Sequence, residues 1–227
     1  MDLFKDAQQI IKTSINYVLP DEAVKRAVSE ISFSGRIFLI SIGKAAFRMA
    51  NAAYEILGER ITDGLVITKY GHVQGPIGNL KCFEAGHPVP DENSFRATEE
   101  AIKLVSGLTE KDSVLFLISG GGSALFEKPL VSGKELSDVT DQLLASGADI
   151  TEMNCIRKRL SAVKGGRFAK LCEPAKVYTV VLSDIIGDPL DMIASGPAAA
   201  DSSSCRDALD IIKKYDLKFS DRPCRRA

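Results

Sequence analysis

Continuous apolar runs of strand length alternate along this chain with stretches whose apolar residues recur every three or four positions. The runs are Arg36–Ile42, Gly64–Lys69, Lys81–Ala85, Ser113–Ile118 and Val177–Leu182. Continuous apolarity suits a strand covered on both faces. Between the runs the spacing is helical. Phe4, Ala7, Ile11, Ile15 and Val18 form one stripe over residues 2–18, closed by Pro20, which predicts a packing helix. Asp21–Ile31 reads as a second helix capped by Asp21. Ala46, Met49, Ala50, Ala53 and Leu57 share one face of a helix that Gly58 stops. Another runs from Asp91 to about Val105. Ser132 and Glu135 form a capping box for a helix bearing Leu136, Val139, Leu143 and Leu144. Thr151–Val163, Arg167–Leu171 and Cys205–Tyr215 complete the pattern.

Strands that alternate with helices pair in parallel. The expected fold is therefore α/β, a three-layer, Rossmann-like, mostly parallel sheet with helices on both faces. Residues 1–219 are expected to form one domain with residues 1–31 as a helical lead-in. The basic stretch Ser220–Ala227 has no apolar pattern and is expected to fray.

Composition narrows the function classes. A hydrophobic content of 45% and a charged content of 26% are ordinary for a globular protein, and a net charge of −1 gives no footprint for nucleic acid. No apolar run approaches the roughly 20 residues of a membrane helix, and Met1–Asp6 lacks the order of a signal peptide, so a cytoplasmic location is expected. Cysteines stand at 82, 155, 172, 205 and 224, with no C-x-x-C spacing, which suits free thiols in a reducing compartment. With only His72 and His87 present, a multi-histidine metal site is excluded.

Candidate chemistry gathers where strands end. In a parallel sheet, ligands bind outside the carboxyl ends of the strands. The first strand ends in Ser41-Ile42-Gly43-Lys44, the fourth in Ser119-Gly120-Gly121-Gly122-Ser123, and the last in Ser183-Asp184. The glycine loop reads either as a tight turn or as an anion cradle of backbone N–H groups and serine hydroxyls. Lys44 is either solvated or a phosphate-facing cation. Asp184, Asp188 and Asp191 are either turn residues or oxygen ligands for a hard cation. A lysine, a cradle and a carboxylate on one edge are the parts of a phosphoryl-transfer site. Asn154, Arg157, Lys158, Ser161 and Lys164 recur at roughly helical spacing, as a solvated basic face or as one wall of an anion site. His87, between Gly86 and Pro88, is more often structural than catalytic in such a setting. Gly120–Leu125 fails the G-x-G-x-x-G fingerprint, and no P-loop motif occurs.

These segments resemble a known family, the glycerate 2-kinases of the class with a C-terminal MOFRL domain. The matching blocks, in the family's order, are Ile42–Ala46, Ala85–Asp91, Leu117–Leu125, Asn154–Lys158, Lys164–Arg167, Ser183-Asp184 with Gly187-Asp188, and Ile193–Pro197. They cover roughly residues 36–200. The resemblance implies ATP-dependent phosphorylation of D-glycerate to 2-phosphoglycerate, with Mg²⁺ accompanying ATP. It implies Lys44 and Asp184 as catalytic positions and Asp184 and Asp188 near the metal. It further implies Ser119, Gly120, Gly121, Gly122, Ser123, Asn154, Arg157 and Lys164 around substrate or phosphate.

Members of that family are nearly twice as long, and their second domain closes over the cleft. The expectation is a chain that resembles the N-terminal domain alone, with the MOFRL-type domain absent through a fragment, a frameshift or an isoform. Its own activity then depends on whether a homo-oligomer or a second domain supplies the opposing half. Two other readings stand beside the kinase: an NAD(P)H-dependent hydroxypyruvate reductase, and a catalytically silent domain that binds an anion or a partner.

Overall fold

A computed structural model describes residues 2–220. Two helices lead in, α1 (Leu3–Val18) and α2 (Pro20–Ser29), and are followed by strand β1 (Ile37–Ile42) and helix α3 (Ala46–Leu57). Next come β2 (Ile61–Lys69), β3 (Lys81–Ala85), α4 (Glu92–Val105) and β4 (Ser113–Ser119). The short α5 (Gly122–Leu125), then α6 (Gly133–Ala145), α7 (Ile150–Arg159) and α8 (Arg167–Leu171) precede β5 (Lys176–Leu182) and α9 (Cys205–Lys214).

The five strands form one sheet in the order β3-β2-β1-β4-β5, and every pairing is parallel. Successive side chains divide between two cores. Phe38, Ile40, Ile42, Phe116 and Ile118 pack beneath α4 and α8. Ile37, Leu39, Leu115 and Leu117 pack beneath α2 and α3. β1 and β4 are buried along their whole length, as their unbroken apolar runs require. A third cluster joins α6, α7 and α9 through Leu136, Val139, Leu143, Ile156 and Ala208.

Four expectations are corrected. The stripe on α1 exists, but Phe4, Ile11, Ile15 and Val18 are all exposed, and no residue of that helix is buried. Periodicity makes a helix amphipathic without supplying a partner for its apolar face. Asp21 lies inside α2, which begins at Pro20, because proline is preorganised for a first helical turn. The helix expected over 151–163 stops at Arg159, and residues 160–166 turn so that Gly165 and Gly166 adopt φ of 61° and 80°. Of the tail expected to fray, Ser220 is held, since its N–H donates to Glu135 at 2.9 Å; residues 221–227 lie outside the described residues.

Strand order places the site. The chain winds from β1 outward to β3, returns to β4 beside β1, and then winds the other way. The crevice outside the carboxyl ends of β1 and β4 is therefore the switch point of the sheet, where ligands bind in open α/β folds.

Candidate active site

The loops after β1 and β4 are stapled to each other. Ser119, the last residue of β4, is buried; its hydroxyl donates to the Ile42 carbonyl at 3.1 Å and accepts the Ala45 N–H at 3.0 Å. The Lys44 N–H donates to the Gly120 carbonyl at 2.9 Å. Gly43 makes this fit possible. Its φ is 110°, and a Cβ there would lie 2.7 Å from the Ser119 carbonyl carbon. Ser41 ties the strand end to α3, since its hydroxyl donates to the Ala46 carbonyl at 2.8 Å.

Each glycine of the loop admits a different neighbour. A Cβ on Gly120 would overlap the Asp184 carboxylate, with Cγ at 2.8 Å. One on Gly121, whose φ is 86°, would come within 2.9 Å of His87 Nε2 and 3.2 Å of Lys44 Cγ. One on Gly122 would lie 2.7 Å from the Ala194 Cβ. The loop thus brings together Lys44, His87 and Asp184 from the ends of three strands. A cavity of about 260 Å³ opens over it, lined by His87, Gly120, Gly121, Ser123, Asn154, Arg157 and Asp184 among others. A second cavity of about 280 Å³, between Ile118, Val181 and Ile193, carries no titratable group and so no comparable chemistry.

Electrostatics distinguish the cleft residues. Lys44 is exposed and makes no ion pair among the described residues. Asp184 and Asp188 are likewise exposed and without side-chain partners there. Asp191 is spoken for: it accepts from Ser202 at 2.7 Å and faces Lys158 at 3.4 Å, and these contacts outweigh burial to lower its pKa. It is therefore unsuited to a metal. His87 is half-buried, and burial, aided by Lys44 and Lys69, lowers its pKa from the ordinary 6.5.

The basic series along α7 and beyond is neither a solvated face nor one wall. Only Asn154 and Arg157 line the cavity. The Asn154 carbonyl oxygen accepts from Ser195 at 2.8 Å, and the Ser195 hydroxyl lies 2.8 Å from that of Ser123. Arg157 donates to the Ser123 carbonyl at 3.1 Å. Lys158 is buried between Asp191 and Asp201. Lys164, expected at the phosphates, is fully buried behind the loop. Its ammonium meets Glu127 at 2.8 Å and donates to the carbonyls of Ser123 at 2.8 Å and Phe126 at 3.1 Å. It braces α5 from below and does not reach the cleft. Ser119 is similarly a staple, its hydroxyl consumed by β1. Ser123, Gly120, Gly121, Asn154 and Arg157 remain as cavity lining, while Gly122 is a packing position.

The structure brings His87 into the cavity lining, and sets Ser195 and Ala194, which the sequence did not assign to the site, against the loop with φ of 60° and 53°. The signal for His87 was its flanks. Gly86 lets the chain fold back, since a Cβ there would lie 2.6 Å from the Val89 carbonyl oxygen. Asp91 caps α4 and accepts from the Tyr70 hydroxyl at 2.6 Å, which fixes the loop between.

The family model described as a domain of unknown function (DUF4147) matches residues 6–225. The D-glycerate 2-kinase of Thermotoga maritima is 54% identical over 221 residues, covering 96% of this chain and 53% of that protein. A crystal structure of glycerate kinase from the same organism superposes with a TM-score of 0.91, over 96% of this chain and 53% of that one. A protein of Agrobacterium vitis named putative hydroxypyruvate reductase is 45% identical over 186 residues, covering 81% of this chain and 48% of the relative. The chain spans about half the length of the curated relatives it matches. It belongs to the DUF4147 family and corresponds to the N-terminal domain of the glycerate 2-kinases.

Proposed function

We propose that this chain supplies one half of an ATP-dependent glycerate kinase site, which phosphorylates D-glycerate to 2-phosphoglycerate. The observation that carries the reading is the meeting of Lys44, the Gly120–Ser123 loop and Asp184 at the switch point between β1 and β4. Phosphoryl transfer calls for positioning and charge stabilisation, which these groups provide. In this reading the N–H groups around Gly121, Gly122 and Ser123 receive the anion, and Arg157 lines the same cavity. Lys44 has a free ammonium to neutralise charge on the transferred group.

Mg²⁺ fits the same edge. A nucleotide-bound Mg²⁺ takes one or two carboxylates and the phosphates, and does not need an all-protein cage. Asp184, exposed and without a partner among the described residues, would hold it, with Asp188 further along the same loop. The ion would neutralise charge on the phosphates. A cytoplasmic, reducing setting suits the unpaired Cys82, Cys155, Cys172 and Cys205.

The test is glycerate- and ATP-dependent formation of phosphoglycerate, by this chain and by the chain joined to a second domain like that of its relatives. Loss of at least 10²-fold in Lys44→Ala is expected, a typical penalty for removing one transition-state contact. Unchanged turnover in that variant sinks the role of the lysine. A reductase reading has the Agrobacterium names in its favour. Nicotinamide oxidation with hydroxypyruvate and no ATP turnover would establish it, and the failed dinucleotide fingerprint at Gly120–Leu125 speaks against it.

A further inference from the structure

We infer that His87 is the residue that accepts the hydroxyl proton of the alcohol being phosphorylated, an assignment that rests on the kinase reading. The imidazole lies across the glycine loop, close enough that a Cβ on Gly121 would come within 2.9 Å of both Cδ2 and Nε2. The same Cβ would be 3.2 Å from Lys44 Cγ, so ring, lysine stem and loop meet at one point. Neither ring nitrogen has a hydrogen-bond partner among the described residues. His72 differs, with Nδ1 3.1 Å from the Lys44 carbonyl. A half-buried imidazole with two unused nitrogens, aimed into a polar cavity and held by a braced loop, is built to meet a ligand.

The charged groups around it decide its form. Lys44 and Lys69 act on it from the ends of β1 and β2, and Arg157 and Asp184 share its cavity. Burial and the two lysines favour the neutral ring, which near neutral pH is a proton acceptor. Asp184, exposed and without a partner among the described residues, is better suited to a cation.

The alcohol O–H bond breaks and its proton goes to the free ring nitrogen of His87. The alcohol oxygen bonds to the γ-phosphorus of ATP. The bond from that phosphorus to the bridging oxygen breaks, and ADP leaves with the electron pair. The proton then passes to solvent.

The experiment measures kcat and KM for D-glycerate against pH in wild type, His87→Gln and His87→Asn, with thermal melts of each. Wild type should lose activity through an acid limb below pH 6.5. Both variants should melt like wild type, keep KM within about threefold, and lose kcat about 10²–10⁴-fold together with that limb, the range for general-base catalysis. A second reading uses proton NMR: with only two histidines, His72→Gln leaves a single imidazole, and His87 should titrate below 6.5. An active wild type whose His87 variants keep the rate and the acid limb overturns this inference alone, as does titration of His87 above 7. A wild type that transfers no phosphate to glycerate in either chain form overturns the kinase reading itself.

Discussion

Two glycines of the site should respond to the same substitution in opposite ways. Gly43→Ala places a Cβ 2.7 Å from the Ser119 carbonyl carbon, at a backbone φ of 110°. The obstacle is backbone at the buried end of β4, which cannot move without breaking the staple from Ser119 to Ile42 and Ala45. The unfavourable φ costs about 1–3 kcal/mol. Overpacking against a fixed neighbour adds about 1–3 kcal/mol. The total of about 2–6 kcal/mol is a large share of the roughly 5–15 kcal/mol that holds a domain together. Gly120→Ala meets only the carboxylate of Asp184, which is exposed and free to rotate. Its stability change should stay within about 1 kcal/mol, partly offset by lower entropy of the unfolded chain. The displaced carboxylate, however, leaves its place over the loop, and a misplacement of about 1 Å in a site costs on the order of 10²-fold in rate.

Urea unfolding and glycerate-dependent ADP formation read the two effects separately. Gly43→Ala should lower the melting temperature by about 10 °C, since 1 kcal/mol shifts a domain of this size by about 2–4 °C. Gly120→Ala should melt beside wild type and be nearly inactive. If Gly43→Ala loses less than about 1 kcal/mol, below the strain cost alone, the two loops are not joined as described. If Gly120→Ala destabilises as much as Gly43→Ala, Asp184 is fixed and the argument for its freedom fails.

Other outcomes follow from the groups behind the site. Lys164→Met strands the buried Glu127 carboxylate and should cost about 3–5 kcal/mol in urea unfolding, whereas the double change Lys164→Met with Glu127→Leu should recover most of it. A double variant no better than the single would show that the pair is not the main term. Asp201 is raised by burial, but Ser203 and Lys158 outweigh this and hold it at about 2. Its contribution is therefore present above the ordinary value of 3.8 and lost as pH falls through about 2. Asp201→Asn should lower stability at pH 6 by about 2 kcal/mol and flatten the loss between pH 4 and pH 2, measured by denaturant unfolding at each pH. Ser119→Ala removes the acceptor of the Ala45 N–H and should cost about 1–3 kcal/mol, read by the same method.

The elements of the sheet were legible because burial on both faces leaves little choice of residue. β3 spans Lys81–Ala85 as the run indicated, and β4 extends the expected run by Ser119 alone. The strand order was not legible, because continuous apolar runs carry no information about which strand lies beside which. The polar residues show the same division. Lys44, Asp184 and the glycine loop could be assigned to one edge because they end strands, and every parallel strand ends at the same edge. Lys164 could not be separated from Arg157 by sequence. Both are cations at helical spacing, and only the turn at residues 160–166 sends Lys164 behind the loop while Arg157 stays in front.

That turn also explains how a loop of three glycines can hold a defined shape. Glycine removes the side chains that would fix a backbone, so the rigidity has to come from outside. Three supports are present: the Ser119 staple from β1, Ala194 packed against Gly122, and the Lys164 ammonium gripping the carbonyls of Ser123 and Phe126. The lysine acts on carbonyls at the end of the loop, the staple ties its start to β1, and Ala194 fills the space beside Gly122. Lys164 thus supports the proposed anion cradle from behind, without reaching the cleft. Its buried charge is tolerated because Glu127 neutralises it and the two carbonyls complete its hydrogen bonding. Lys44, exposed and without an ion pair among the described residues, is the lysine that the proposed function sets at the phosphates.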